Sequence, residues 1–314
     1  VTGGRAWVRS RQMSDLAIDA RGLTKNYKGA RGITNVDLEV HRGESYGFLG
    51  PNGAGKTTFI RLCLGLLHAQ SGSVAIFGHD VMVDRSRALA EIGYLPGELS
   101  LYGSLSGTAT LDMLSRLHPR SPVRRHELLE VLGLTGADMR RPVRQYSRGM
   151  KQKLGLVAAL EHDPPLAILD EPTGGLDPVV QLQLTDWLRE RVHAGMTLFF
   201  SSHILSEVES LCDRVAMIRD GELLLVRDVN DLNLSSMRIV KMRFGSPTDP
   251  SAYSSRHISD IRVEGTLHEC TLQGSPAALI DALTRCEIEE LTMVPLSLED
   301  AFRALYVPNS GEST

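Results

Sequence analysis

The chain has 314 residues, 42% apolar and 23% charged, the make-up of a globular protein with one large or two ordinary domains. Lys and Arg number 34 against 38 Asp and Glu, a formal net charge of -4, so the basic footprint of a nucleic-acid partner is absent and no such partner is expected. No apolar run approaches the roughly 18 residues that span a bilayer, which predicts a chain that does not cross a membrane by itself. Four scattered cysteines (Cys63, Cys212, Cys270, Cys286), with no CxxC pair, argue against a zinc site or disulfide framework and fit a reducing compartment.

Residues 1–14 are Arg-rich, lack the apolar core of a signal peptide and read as a disordered tail, with Met13 as the expected start of translation. Residues 15–231 alternate short apolar strands with helical patterns, the mark of a mostly parallel sheet covered by helices. Strands are expected at Ser45–Leu49, Leu166–Leu169, Thr197–Ser201 and Arg214–Arg219. Helices are expected at Lys56–Leu67, Ser147–Glu161, Pro178–Ala194 and Leu205–Leu211. Within this α/β domain a helical subdomain of about 97–150 is broken at Gly103–Gly107, Pro119–Pro122 and Gly133–Gly136. Residues 232–314 read as a small α+β accessory domain in the order β-β-β-α-β-α. Its strands are expected at Arg238–Phe244 and Ile261–Gln273, with a turn at Glu264–Gly265. Ser275 and Pro276 would be N-cap and first residue of a helix reaching Arg285, and Leu298–Tyr306 would be the closing helix.

The stretch Gly50-Pro-Asn-Gly-Ala-Gly-Lys-Thr57 fits G-x-x-x-x-G-K-[ST]. Its glycines let several backbone N–H groups point inward at once, and Lys56 adds a charge at the β and γ phosphates. The following helix turns its positive end on the same anion. A glycine-rich turn before a helix is the bland alternative, but the apolar strand SYGFL before it and amphipathic KTTFIRLCLGLL after it are the context that phosphate binding requires. Gly50, Asn52, Gly53, Ala54, Gly55, Lys56, Thr57 and Thr58 are the expected phosphate-binding residues. Leu166-Ala-Ile-Leu-Asp-Glu171 is an apolar strand ending in two carboxylates, at the strand end where ligands of such sheets sit. Alone, these acids would more simply cap the next helix. Beside a phosphate cradle, Asp170 and the Thr57 hydroxyl are expected to hold Mg²⁺, and Glu171 to orient and deprotonate the attacking water. Up to this point the residues define a Mg-dependent P-loop NTPase.

Further residues narrow this. Tyr146-Ser-Arg-Gly-Met-Lys-Gln152 resembles the signature motif of ATP-binding cassette (ABC) ATPases, commonly Leu-Ser-Gly-Gly-Gln. Glu171-Pro-Thr-Gly-Gly-Leu-Asp-Pro178 matches that family's stretch from catalytic Glu to D-loop. Ser201-Ser-His203 resembles its switch histidine, and Tyr27 the aromatic that stacks on adenine. The resemblance covers residues 15–225. It implies the P-loop core of an ABC ATPase with a helical insertion, binding ATP and Mg²⁺. It further implies that Ser147 and Gly149 meet the γ-phosphate held by another subunit in a head-to-tail dimer, that His203 hydrogen-bonds the γ-phosphate, and that Asp177 links the two sites.

Two departures stand out. Gly97, in Ile92-Gly-Tyr-Leu-Pro-Gly-Glu98, occupies the position of the family's Q-loop glutamine; Glu98, water or backbone contacts are left to take its place. The signature carries Arg148 for Gly and Met150 for Gln. The Ser-Arg-Gly-Met-Lys form, and the appended domain with its Ser-Leu-Glu-Asp-Ala-Phe segment, resemble cassettes of bacterial drug- and lipid-export systems. The resemblance thus implies the ATP-hydrolysing subunit of an exporter at the cytoplasmic face of the membrane. Its transmembrane permease would be a separate subunit that docks around Pro96–Leu117, and the cassette would be a homodimer or heterodimer. An importer ATPase and an ABC ATPase acting without translocation are the alternatives.

Overall fold

The computed structural model describes residues 15–27, 30–229, 237–255, 257–284 and 286–295. The expected tail, residue 231 and the expected closing helix Leu298–Tyr306 lie outside them. The fold is mixed α/β, as expected. Strands β1 (Leu16–Tyr27) and β2 (Ala30–His41) pair antiparallel. With β4 (Ser71–Ile76) and β5 (His79–Asp80) they form a four-stranded antiparallel sheet. The second sheet contains β3 (Ser45–Leu49), β6 (Ile92–Leu95), β7 (Leu166–Asp170), β8 (Thr197–Ser202), β9 (Arg214–Arg219) and β10 (Glu222–Asp228). Its order is β10-β9-β3-β8-β7-β6, with β9 through β6 parallel. β3, β7 and β8 are buried along their whole length, the burial their unbroken apolar runs call for in a sheet covered on both faces.

Helix α1 (Lys56–Cys63) follows β3 directly. Phe59 of α1, Phe48 of β3 and Phe199 of β8 form a buried aromatic triangle with centroids 5.0, 5.4 and 5.7 Å apart. This fixes the helix start against the strand ends that carry the polar residues, since buried aromatics of this size dominate local packing. α1 is shorter than its amphipathic pattern, which ran to Leu67. Gly65 takes φ +60, its N–H donates to Leu62 O, and Leu66 N–H donates to Arg61 O. Those two bonds close a Schellman turn, which satisfies the last carbonyls and ends the helix.

Helices α2 (Arg85–Ala90), α3 (Gly107–Ser115), α4 (Arg125–Val131) and α5 (Gly136–Arg140) come next, the last three within the expected helical insertion. Ser106 caps α3, and Thr135 and Asp138 form a reciprocal capping box on α5. α6 (Arg148–Leu160), α7 (Pro178–His193) and α8 (Leu205–Leu211) lie within a residue of their expected bounds.

Contacts divide the chain into a unit running to His203 and resuming over Ser210–Arg227, and a unit of Ile204–Glu209 with the residues from Asp228 on. In the second unit β11 (Met237–Phe244), β12 (Ile258–Glu264), β13 (Leu267–Gln273) and β14 (Ile288–Pro295) form an antiparallel sheet in the order β12-β13-β11-β14. Helix α9 (Ala277–Leu283) adds Leu279 and Leu283 to its core. The β-β-β-α-β order is the one expected, and the helix ends before Arg285. The helix begins one residue later than expected, with Pro276 as its N-cap residue and Ala277 its first, while the Ser275 hydroxyl accepts from Ala277 N–H at 3.3 Å.

Candidate nucleotide site

The site gathers at the carboxyl ends of three neighbouring strands, β3, β8 and β7. After β3 the chain turns through Gly50–Gly55. A Cβ on Gly50 would lie 2.4 Å from Ile218 O, and Gly55 sits at φ +111 with Ile33 Cγ2 only 2.7 Å from where a Cβ would stand, so both positions require glycine. No side chain caps α1, whose first residue is Lys56. Its leading N–H groups therefore need an outside acceptor, the situation that suits an anion. Asn52 and Gly53 are exposed, Ala54 is buried, and Thr58 is half-buried on the first turn. The Lys56 side chain is buried, with its Nζ donating to Gly50 O at 2.7 Å and Pro51 O at 3.2 Å. The same Nζ lies 3.4 Å from Glu171 Oε1.

On β7, Asp170 is almost wholly buried. Its Oδ2 accepts from Thr57 Oγ1 at 2.8 Å, and its Oδ1 accepts from Ser201 Oγ on β8. Glu171 has φ +50, a region that non-glycine residues seldom enter and that costs about 1–3 kcal/mol to hold. The turn is held by Glu171 N–H donating to Ser201 O at 3.1 Å, and by the Gln152 amide of α6 donating to Glu171 O at 3.2 Å and Pro172 O at 3.0 Å. It places the Glu171 carboxylate between two nitrogens, with Oε1 3.4 Å from Lys56 Nζ and 3.3 Å from His203 Nδ1. Ser201 and Gln152 were given no role by the sequence. The parallel pairing Asp170↔Ser201 explains the first, and no local pattern signals it.

The oxygens around Asp170 fit a hard divalent cation. Adjacent ligands of an octahedral Mg²⁺ with bonds of about 2.0–2.1 Å stand about 2.9 Å apart, close to the 2.8 Å between Thr57 Oγ1 and Asp170 Oδ2. Among the described residues no group of three or more His, Cys, Asp or Glu could hold a metal, so the remaining positions fall to phosphate and water oxygens. Gly97 lies against this carboxylate, since a Cβ there would be 3.3 Å from Asp170 Oδ2. Tyr27 is 38% exposed at the end of β1 where the chain crosses to β2, paired with Ala30, with Lys25 Nζ 5.9 Å from its ring. That hairpin reaches the cradle through Gly32 O, which would stand 3.2 Å from a Cβ on Gly55.

Ser147, Gly149 and Asp177 form a second group. Ser147 is the N-cap of α6, its Oγ accepting from Met150 N–H at 3.2 Å. Gly149 packs so closely on Gly175 that a Cβ would lie 2.4 Å from Gly175 O. Asp177 caps α7 through Val180 N–H at 3.0 Å and lies 3.6 Å from Lys153 Nζ. The Val180 bond and Lys153 hold its carboxyl below the usual range. Among the described residues no hydrogen bond or ion pair joins this group to Lys56, Thr57 or Asp170.

A glycine cradle on an uncapped helix, a lysine inside it and two carboxylates across a parallel sheet define a nucleoside-triphosphate-binding protein of the P-loop class. A family model described as ABC transporter matches residues 33–174. The chain is 33% identical to the uncharacterized ABC transporter ATP-binding protein YhcH of Bacillus subtilis, over 91% of this chain and 94% of that protein. It is 32% identical to the bacitracin transport ATP-binding protein BcrA of Bacillus licheniformis, over 91% and 95%. Its fold superposes on the dimeric structure of MJ0796, a bacterial ABC transporter cassette, with TM-score 0.62 and 23% identity, over 68% of this chain and 98% of that one. The protein belongs to the ABC transporter ATP-binding family and is an ATP-binding subunit, of the kind that couples ATP hydrolysis to transport through a transmembrane permease. No helix among its described residues is long and apolar enough to cross a membrane.

Proposed function

We propose that the chain is the Mg²⁺-dependent ATPase of an exporter for a drug-, antibiotic- or lipid-like molecule, working as a homodimer at the cytoplasmic face of the membrane beneath a separate permease. The observation that carries the catalytic part is the placing of one carboxylate oxygen of Glu171 within 3.4 Å of Lys56 Nζ and 3.3 Å of His203 Nδ1. Gly50–Thr58 binds the phosphates, with Lys56 on the β and γ groups and Tyr27 against the adenine. Thr57 and Asp170 hold the Mg²⁺, which when bound neutralises charge on the β and γ phosphates. Glu171 orients the attacking water and accepts its proton, while His203 hydrogen-bonds the γ-phosphate.

Ser147 and Gly149 reach the γ-phosphate held by the cradle of a second copy, and Asp177 links the two sites. ADP leaves those donors without an acceptor, so closure depends on the γ-phosphate. Three points support the dimer: the lack, among the described residues, of any hydrogen bond or ion pair from the Ser147 group to Lys56 within one chain, the dimeric form of the MJ0796 cassette, and the presence in one chain of every catalytic element except the Q-loop glutamine, whose place Gly97 takes, which makes two equivalent sites. Export is supported by the Ser-Arg-Gly-Met-Lys signature and by the likeness to BcrA. Glu171→Gln is expected to bind ATP and hydrolyse it at least about a hundredfold more slowly, as loss of a general base requires. Near-normal turnover in a phosphate-release assay would remove Glu171 from this role. Stimulation of the ATPase of the co-purified permease complex by candidate compounds tests the export reading.

A further inference from the structure

Strand β8 runs Thr-Leu-Phe-Phe-Ser-Ser and is buried along its whole length. Such a strand favours β-branched and aromatic residues, and a hydroxyl within it costs free energy unless it is bonded. Ser201 is fully buried, and its hydroxyl is bonded on both sides. The Oγ donates to Asp170 Oδ1 and accepts from Glu171 N–H at 3.3 Å. The parallel pairing of β7 with β8 sets Ser201 opposite Asp170, so the hydroxyl reaches the carboxylate from one strand directly to the next. The following residue, Ser202, offers its carbonyl to Gly50 N–H at 3.2 Å, which ties the start of the cradle to the same strand end.

The Asp170 carboxylate is buried too, and among the described residues it accepts hydrogen bonds only from Ser201 and Thr57. The two bonds divide its oxygens. Ser201 holds Oδ1, and Oδ2 faces Thr57 Oγ1 at 2.8 Å, the pair of oxygens that fits Mg²⁺. Gly97 brings no side chain to help, since only its backbone lies against Oδ2. Thr57 cannot fix the carboxylate either, because its own oxygen is needed as a ligand. We propose that Ser201 is a positioning residue for the metal, holding Oδ1 so that Oδ2 alone is presented to Mg²⁺, and that it thereby sets the affinity of the ATP-loaded site for the ion. The inference rests on the Mg²⁺ site of Thr57 and Asp170 proposed above. Outer hydrogen bonds of this kind orient carboxylate ligands, and their loss typically weakens metal binding 10–100-fold. Ser201→Ala leaves a buried carboxylate oxygen without a partner and frees the group to turn. The Glu171 turn keeps its bond to Ser201 O at 3.1 Å, a main-chain contact that the substitution spares.

The test uses the full chain carrying Glu171→Gln, in excess over ATP, so that the nucleotide is all bound and is not consumed. Mn²⁺ stands in for Mg²⁺, and the free ion is read from its electron paramagnetic resonance signal. ATP binding in chelator, read by equilibrium dialysis, is the metal-free reference. Adding Ser201→Ala should weaken Mn²⁺ binding about tenfold and metal-free ATP binding by less than about twofold, since Ser201 lies outside the cradle. Ser201→Thr keeps the hydroxyl and should stay within about threefold of the parent. If Ser201→Ala does not fold, as judged by circular dichroism, Ser201→Cys takes its place, its thiol being a weak donor. Parental Mn²⁺ affinity in the Ala or Cys variant overturns the role of Ser201 and leaves the metal site standing. Equal losses of Mn²⁺ and of metal-free ATP overturn it as well, because they mark general damage to the strand end. A Glu171→Gln chain that holds Mn²⁺ no more tightly than free ATP does overturns the Thr57–Asp170 site, and this inference with it.

Discussion

At the carboxyl ends of β3, β8 and β7 each polar side chain meets its partner on another element: Lys56 meets Glu171, Thr57 meets Asp170, Asp170 meets Ser201, and Glu171 meets His203. At the start of α6, Ser147 bonds only within its own helix and Arg148 has no charged partner among the described residues. The first region is preassembled within one chain, its geometry over-determined by three strands and a helix. The second, among the described residues, has no hydrogen bond or ion pair to the first. On the function proposed above, binding of nucleotide and response to nucleotide fall to different parts of the same domain, joined by α6, whose Gln152 braces the Glu171 turn.

That separation can be broken most sharply at Lys56. Lys56→Ala removes the cradle's charge and leaves Glu171 without its cation. Hydrolysis should fall about 10²–10³-fold, the usual cost of losing one donor aimed at developing charge, and ATP-driven dimerisation should fail with it. A Lys56→Ala chain that hydrolyses ATP at the parental rate would show that the cradle is not the working site.

The far end of α6 offers a test by pH. His162, just beyond α6, is buried against the ring of His118 with centroids 3.6 Å apart, and burial pushes its pKa down to about 4. An unfolded histidine titrates near 6.5, so the unfolded chain binds the proton first as pH falls. The stabilisation from neutral His162 is complete above about pH 6.5 and is lost progressively down to about 4, amounting to at most about 3 kcal/mol. Urea denaturation at a series of pH values should show this slope in the parent, and a shallower one in His162→Gln. Equal slopes would free His162 from the effect.

The smallest expected effect sharpens the comparison. Ser147→Ala removes an N-cap and should cost about 1 kcal/mol of stability in thermal unfolding. In the Glu171→Gln background it should also raise the ATP needed for dimerisation, by about tenfold for one charged hydrogen bond. A stability loss with no change in dimerisation would make Ser147 a cap and nothing more.

Much of this protein is legible from short windows of sequence. The cradle, the strand ending in Asp170 and Glu171 and the caps Ser147 and Asp177 are each written within about ten residues, because phosphate loops, buried strands and helix starts are local solutions to local hydrogen-bonding needs. The antiparallel sheet of β1, β2, β4 and β5 is not among the strands expected from the sequence, although β2 alternates buried and exposed residues over Val36–Val40. The apolar pattern of α1 runs past the helix's end because Gly65 sits inside it, and only the left-handed backbone of Gly65 reveals the stop.

The sequence by itself thus determined the kinds of groups present and the class of phosphate chemistry they serve. Only the tertiary structure decided which groups meet. Thr57 and Asp170 are 113 positions apart in the chain, and Ser201 lies 31 beyond Asp170. What unites them is the strand order β3-β8-β7, which lays the end of β8 between the other two. Strand order follows from how apolar faces and crossover helices pack across the whole domain, a global condition to which no single window of the chain holds the answer.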